Sequence, residues 1–402
     1  MIITGLIVEY NPFHNGHLYH LTKSREITQA DLTIAVMSGN FVQRGEPAII
    51  NKWDRAEMAL KSGVDVLIEL PTIYATSSAE NFSYGAILAL EAIKATNFVF
   101  GSESNEISKL RDIAKLSINE PDKLSTEIKK NLNDGLSFMQ AKQLAYEKFY
   151  PNLSDILTEP NNILGLNYIK ALSVLNSQIK PYAIKRKGAN YHSLDLSSLS
   201  SASAIRMRIN SLDEVKSAMP ERSYTILKKN KNNRSTLQVG EIFAIISILL
   251  KRAKIEELYS LPEMEIGMPE LLKKEIYLSS TFDEFINNCT SKRYSNSRIR
   301  RALIRLLLGI TQTDLEESQK ATSLPYLRIL GLNSNKGKLI KQWKDNLEVD
   351  LIQKTSNYKP ESKLSNLLWT TDLKATDLYF NLIKNDEYSL GKQDFIHPLV
   401  II

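Results

Sequence analysis

Three of the five histidines in this 402-residue chain, His14, His17 and His20, fall within one short stretch. The segment Glu9-Tyr10-Asn11-Pro12-Phe13-His14-Asn15-Gly16-His17 follows an apolar run at 2–8 and enters a helix-like stretch from His17 to about Ala30. His-x-Gly-His between a strand and a helix suits phosphate. Glycine lets a flat purine approach the backbone. The helix N-terminus offers free N–H groups and partial positive charge to an anion. Two imidazoles can donate hydrogen bonds to phosphate oxygens as charge builds during attack at an α-phosphorus. Pro12 stiffens the approach to the turn. Two other uses compete: a histidine pair that caps or packs the helix start, and a metal site built from histidines at three-residue spacing. No cysteine or obvious carboxylate partner lies nearby in sequence, so phosphate binding is preferred and no metal site is assigned.

The elements that must position this loop alternate. Residues 32–37 and 64–70 read as strands, with a helix at Asn51–Ser62 between them; Asn51 is its N-cap and Asp54 lies in its first turn. A helix at Ala79–Lys94 leads to a fourth strand, Asn97–Phe100, ending at Gly101. Alternation of this kind predicts right-handed crossovers and a Rossmann-like α/β parallel sheet, with ligands beyond the carboxyl ends of its strands. A helical insertion is predicted near 105–175, a last strand at Tyr182–Ile184, and a helix beginning near Ser203. Beyond about 216 no strand alternation is evident, which predicts a mostly α-helical second domain. The boundaries are therefore 1–215 and 216–402.

Strand, His-x-Gly-His and helix on an alternating α/β domain resemble the HIGH-motif nucleotidyltransferase superfamily. That resemblance implies a second phosphate motif at a late helix start, which Ser200-Ser201-Ala202-Ser203-Ala204-Ile205-Arg206 matches, with Ser203 placed to cap the helix and Arg206 projecting toward a pyrophosphate. Further stretches are similar to one family within it, the bacterial tRNA(Met) cytidine acetate ligases. They are VEYNPFHNGH at 8–17, VMSGNFVQRGEPAI at 36–49, SGVDVLIELP at 62–71, FGSE at 100–103 and PNNILG at 160–165, then KRYSNSRIRRAL at 292–303 and PYLRILGLNSNKG at 325–337.

That resemblance implies an ATP-dependent ligase: acetate attacks ATP, accompanied by Mg2+, and the acetyl group of acetyl-adenylate passes to N4 of the wobble cytidine of elongator tRNA(Met). It assigns His14 and His17 to phosphate. Val8, Glu9, Tyr10, Asn11, Pro12, Phe13, Asn15, Gly16, Leu18, Tyr19 and His20 would cradle the nucleotide. Gly101 would let it approach the sheet edge. Asn162 (with Asn161 as its neighbouring candidate), Arg186, Lys187, Ser203 and Arg206 would bind it too. Ala202 and Ala204 stand where many superfamily members carry hydroxyl residues, which leaves fewer side-chain contacts to the outer phosphates.

Charge is uneven along the chain. Residues 216–402 carry 29 Lys+Arg against 22 Asp+Glu, whereas 1–215 carry 22 against 23. A basic half suits a polyanion. On a helix from Arg298, the residues Ile299, Leu303, Leu306 and Ile310 share one face, with Arg298, Arg301 and Arg305 roughly opposite. Those arginines, with Lys292, Arg293 and Tyr294, are the predicted tRNA contacts: a ridge set against phosphates and a ring able to stack on a base. A helix face merely solvated by arginine is the alternative. Lys228-Lys229-Lys231-Arg234 and Lys336-Lys338-Lys341-Lys344 are further basic clusters.

Composition narrows the remaining classes. At 43% hydrophobic and 24% charged the chain is globular rather than disordered. Its longest uncharged apolar run, Ile242–Leu250, falls far short of the ~20 residues that span a bilayer, so no membrane partner is expected. The N-terminus reads as a first strand rather than a leader. A single cysteine, Cys289, excludes an internal disulfide framework and predicts a reducing compartment, the cytoplasm. No obligate protein partner is evident. Two rivals to the ligase stay open: a small-molecule adenylyl- or cytidylyltransferase, which has no need of a long basic half, and a non-catalytic RNA-binding protein.

Overall fold

A computed structural model describes residues 1–186, 201–385 and 391–402. The apolar runs of the first half form β1 (Ile3–Val8), β2 (Leu32–Ser38), β5 (Val66–Leu70), β6 (Asn97–Ser102) and β7 (Lys180–Lys185). Neighbouring strands in the order β5-β2-β1-β6-β7 all pair in parallel. Every residue of β2 and β5 is buried, as expected for strands covered on both faces. After β1 the chain builds outward through β2 and β5, then returns to the other side of β1 as β6. The order thus reverses between β1 and β6, and the crevice at their carboxyl ends is the place where such a sheet binds ligands.

Helix α1 (Asn15–Thr28) follows β1, and α2 (Lys52–Lys61) follows a short hairpin of β3 (Phe41–Val42) and β4 (Glu46–Pro47). Asn51 caps α2 by accepting from Trp53 N and Asp54 N. Between β6 and β7 lie the expected inserted helices, including Ile107–Ile118, Asp122–Asn133, Phe138–Phe149 and Pro160–Val174.

The second half is mostly helical, but the absence of strands expected beyond 216 is corrected. β8 (Tyr326–Leu332) runs antiparallel to β5 in the same sheet, with β9 (Asp350–Ile352) and β10 (Val400–Ile401) parallel to β8. The run YLRILGL is short and apolar, and periodicity cannot separate a buried strand of that length from a buried helical turn. Arg328 within it meets buried partners. Lys52 Nζ donates to Glu69 Oε1 and Oε2 at 2.8 and 2.9 Å and to Thr376 Oγ1 at 3.0 Å, and pairs with Asp394 Oδ1 at 2.8 Å. Arg328 pairs with Glu69 at 3.4 Å and also with Asp394. Tyr379 OH donates to Ala48 O and Trp343 Nε1 to Ile93 O, so both halves share one core. Among the described residues no helix is long and apolar enough to cross a membrane.

Candidate active site

The loop leaving β1 is held from below. Arg55, fully buried on α2, donates to Glu9 O at 2.7 Å, Ser38 O at 3.0 Å, and Gly39 O and Ile50 O. It thereby fixes the ends of β1 and β2 against each other. Asn11 Oδ1 accepts from Ile49 N at 2.7 Å, and Glu9 Oε1 from Gln43 N at 2.9 Å. Tyr10 turns the chain with a φ of 47°, and the Asn11–Pro12 peptide is cis. Tyr10 and Phe13 are buried, their rings meeting edge-on at 4.7 Å.

His14 is the N-cap of α1, which begins two residues before the expected start. Its Nδ1 accepts from Gly16 N at 3.0 Å, and His17 Nδ1 accepts from His14 N at 3.3 Å. Each backbone N–H claims the Nδ1 lone pair, so each neutral ring carries its proton on Nε2. The two rings lie 3.8 Å apart between centroids. The capping and the phosphate-binding readings are therefore compatible: one ring nitrogen caps, the other is left as a donor. Burial first, then the charges of Arg186 and Arg206, push His14 down to about 3. Burial also depresses His17 well below its ordinary value, and His20 to about 4. Burial chiefly keeps these imidazoles neutral, and the nearby charges of Arg186 and Arg206 add a cationic side that suits a polyphosphate.

A cavity of about 260 Å³ opens over these rings at the reversal between β1 and β6. Val8, Glu9, Tyr10, Asn11, His14, Gly16, His17, Tyr19, His20, Gly101, Arg186 and Arg206 all line it. Pro12, Phe13, Asn15 and Leu18 do not; they shape the loop and the first turn from outside. A Cβ at Gly101 would lie 3.4 Å from Arg186 Cγ, so the glycine keeps this wall of the cavity flat.

Two sequence assignments are corrected. Asn162 is buried away from the cavity, where its Oδ1 accepts from Ser102 Oγ at 2.7 Å and from Glu103 N at 3.1 Å. It is Asn161 that faces the cavity, accepting from Arg186 Nη1 at 2.8 Å. Glu103 holds both, accepting from Asn162 N at 2.9 Å and from the Asn161 amide. Ser201 rather than Ser203 caps the helix Ala202–Met207, accepting from Ala204 N. Ser203 instead accepts from Arg44 Nη1 at 2.9 Å and Arg206 Nη2 at 3.3 Å. Lys187 lies outside the described residues, as does Ser200.

Arg44, missed in the sequence, enters the cavity from the β3–β4 turn. Arg206 is anchored by Glu46 at 2.6 Å and by Asn11 O at 3.0 Å. Burial pushes the Glu9 carboxyl up, against the pull of Arg44 and the Gln43 N–H. Gly45, at the tip of the turn with φ 74°, packs on the helix Asn296–Leu308; a Cβ there would lie 2.3 Å from Arg301 N and 2.4 Å from Arg300 C. Gly45→Ala should therefore cost about 1–3 kcal/mol and weaken nucleotide binding as Arg44 shifts, read by thermal unfolding and by nucleotide titration.

The arginine ridge is also corrected. Arg305 is fully buried and Arg301 nearly so, both paired with Glu263, at 3.4 and 2.8 Å. Although burial raises the Glu263 carboxyl, Arg301 and Arg305 together hold it below its ordinary value. Tyr294 is buried, donating to Ile266 O at 2.8 Å, and cannot stack on a base. Arg298 and the more exposed Arg293 both pair with Glu265. Only Lys292 stands exposed without an ion pair to the described residues. Ion pairing inside the fold accounts for Arg301 and Arg305, while Lys292, Arg293 and part of Arg298 stay at the surface.

Residues 1–394 match the HIGH nucleotidyl transferase family model. The tRNA(Met) cytidine acetate ligase of Thermoanaerobacter pseudethanolicus is 42% identical to this chain over the full length of both. That of Clostridium perfringens is 39% identical over the same extent. The chain belongs to the tRNA(Met) cytidine acetate ligase family. The crystal structure of apo Thermotoga maritima TmcAL superposes with a TM-score of 0.94 at 31% identity, covering all of both chains. The TmcAL structure bound with alpha-thio ATP gives 0.91 at 32% identity, again over both full chains. The fold of this chain thus matches that of the Thermotoga maritima protein over the full length of both.

Proposed function

We propose that this protein is an ATP-dependent ligase that activates acetate and acetylates N4 of the wobble cytidine of elongator tRNA(Met). The observation that carries the reading is the cavity itself: His14, His17, Arg44, Arg186 and Arg206 line it together with the apolar Phe100, Leu164 and Ile184. The apolar side chains suit an adenine and the cationic ones a triphosphate. A carboxylate oxygen of acetate attacks the α-phosphorus, and the bond from that phosphorus to the bridging oxygen of pyrophosphate breaks. His14 and His17 donate to the oxygens on which charge develops, with no proton to gain or lose. The cytidine amine then attacks the acetyl carbon, loses a proton, and AMP departs with the oxygen that acetate brought. The base must be unstacked to reach the anhydride.

Magnesium would accompany ATP as part of the substrate. Among the described residues Glu9 is the acidic side chain in the cavity lining, and its carboxylate already accepts from Gln43 N, so phosphate oxygens and water rather than a protein cage would hold the metal. A tRNA substrate places the activity in the cytoplasm.

The test is transfer of labelled acetate to purified elongator tRNA(Met) with ATP, in parallel with labelled acetyl-CoA. Label entering tRNA from acetate only with ATP supports the ligase. Label from acetyl-CoA alone would make the protein an acetyltransferase. No label from either donor, with ATP still bound, would favour a small-molecule nucleotidyltransferase.

A further inference from the structure

With the Arg301–Arg305 face buried, an RNA substrate needs another surface, and the fold offers a distinct one beside the cavity. The helix Glu221–Asn232 and the turn before it form a groove lined by Lys216, Tyr224, Thr225, Lys228, Lys229 and the Asn232-Asn233 pair. Lys216 and Lys228 each lie 5.8 Å from the Tyr224 ring centre, on a ring fixed by donation of its hydroxyl to Asp213 at 2.7 Å. All three lysines are exposed. Glu221 also lines the groove, so the surface is cationic on balance rather than throughout.

Its position matters more than its charge. Asn15, beside His14 at the start of α1, donates to Ser217 O at 2.9 Å, one residue from Lys216. Farther along, Leu237 N donates to Ile49 O, in the chain that also holds Asn11. The Lys216 side of the groove thus borders the carboxyl end of the sheet, where the cavity opens, while Arg222 in the first turn of its helix donates to Lys61 O at the far end of α2. The other basic cluster lies elsewhere: Lys336 Nζ donates to Asp31 O, just before β2, and Asn333 N to Asp65 O, just before β5. That is the amino end of the sheet, roughly 20 Å away along a strand of six or seven residues.

We propose that Lys216, Lys228 and Lys229 take the phosphate backbone of the RNA strand whose cytidine enters the cavity, with Asn232 and Asn233 as donors to phosphate or 2′-hydroxyl oxygens. The proposal rests on the ligase reading and names the contact surface for its macromolecular substrate. Lysines at this spacing meet successive phosphates as point charges and carry affinity rather than sequence choice.

The experiment compares Lys228→Glu/Lys229→Glu with Lys338→Glu/Lys341→Glu, which makes the same change of net charge at the amino end of the sheet. KM for tRNA and its salt dependence are measured, together with ATP affinity. The first variant should raise KM at least about tenfold and flatten the salt dependence by one to two units of logarithmic slope. ATP affinity should stay unchanged, and the second variant should leave KM within about twofold. Lys228→Gln/Lys229→Gln, which introduces no repulsion, should move KM in the same direction by a smaller factor, guarding against a folding defect in the reversal. An unchanged KM in the first variant, or an equal rise in both, would overturn the surface. Absence of acetyl transfer by the unaltered protein would instead sink the ligase reading beneath it.

Discussion

Replacing His17 with alanine should lower acetyl transfer to tRNA by about a hundredfold to a thousandfold, the range set by losing one preorganised donor to a developing oxyanion. Binding of tRNA should be nearly unchanged. Alanine removes two things at once, the Nε2–H aimed at the cavity and the Nδ1 acceptor that satisfies His14 N. Two further variants separate them. His17→Asn retains an acceptor near Nδ1 and should remain inactive, whereas His17→Gln places an amide donor near Nε2 and should recover part of the rate. Recovery by asparagine alone would make His17 a helix cap with no part in the chemistry.

The same site has a pH signature. His14, held down at about 3, and His17, also well below its ordinary value, are neutral in the free protein across pH 5–8. The profile of kcat/KM for ATP should therefore show no limb near 6.5 from these residues. Stability has the opposite sensitivity. As pH falls below 6.5, the unfolded chain takes up protons that folded His14 refuses, so stability falls toward acid.

Lys52→Met should cost about 3–5 kcal/mol of folding stability, measured by denaturant unfolding, because it strands two buried carboxylates with one cation between them. Lys52, Glu69, Arg328 and Asp394 are all buried, and they come from α2, β5, β8 and the chain before β10. Burial raises the Asp394 carboxyl, but Arg328 and Lys52 outweigh it and hold the group below its ordinary value. Its contribution is therefore present above the unfolded carboxylate pKa of about 3.9 and is lost as pH falls through the lower folded value. Lys23→Met, which breaks an exposed pair with Glu26, should leave stability nearly unchanged. Equal costs for the two variants would mean that the buried cluster does not fasten the second half to the sheet.

Sequence legibility followed the range of the interactions. The path from β1 through the histidine loop into α1 is local, and so is the Asn51 cap of α2; both were readable from neighbouring residues. β8 was not, because its place beside β5 depends on partners more than 250 positions away. The Arg301–Arg305 face was read correctly as opposite Ile299. Its burial depends on Glu263, which no helical periodicity around 298–310 could reveal. Asn161 and Asn162 are identical neighbours on one helix turn, and what separates them is distant in sequence: Arg186 meets Asn161 at the cavity, while Ser102 and the Glu103 N–H hold Asn162 away from it. Arg44 is a lone arginine in a turn. Its importance arises from the hairpin that carries it across to Ser203.

The most direct test of the central chemistry follows an oxygen atom. With acetate carrying 18O in both carboxylate positions, ATP and elongator tRNA(Met), attack at the α-phosphorus predicts one 18O in each AMP formed and none in pyrophosphate. This result holds whether tRNA binds before or after activation. Label in inorganic phosphate, or AMP without label while tRNA becomes acetylated, would contradict an acetyl-adenylate formed over the histidine loop.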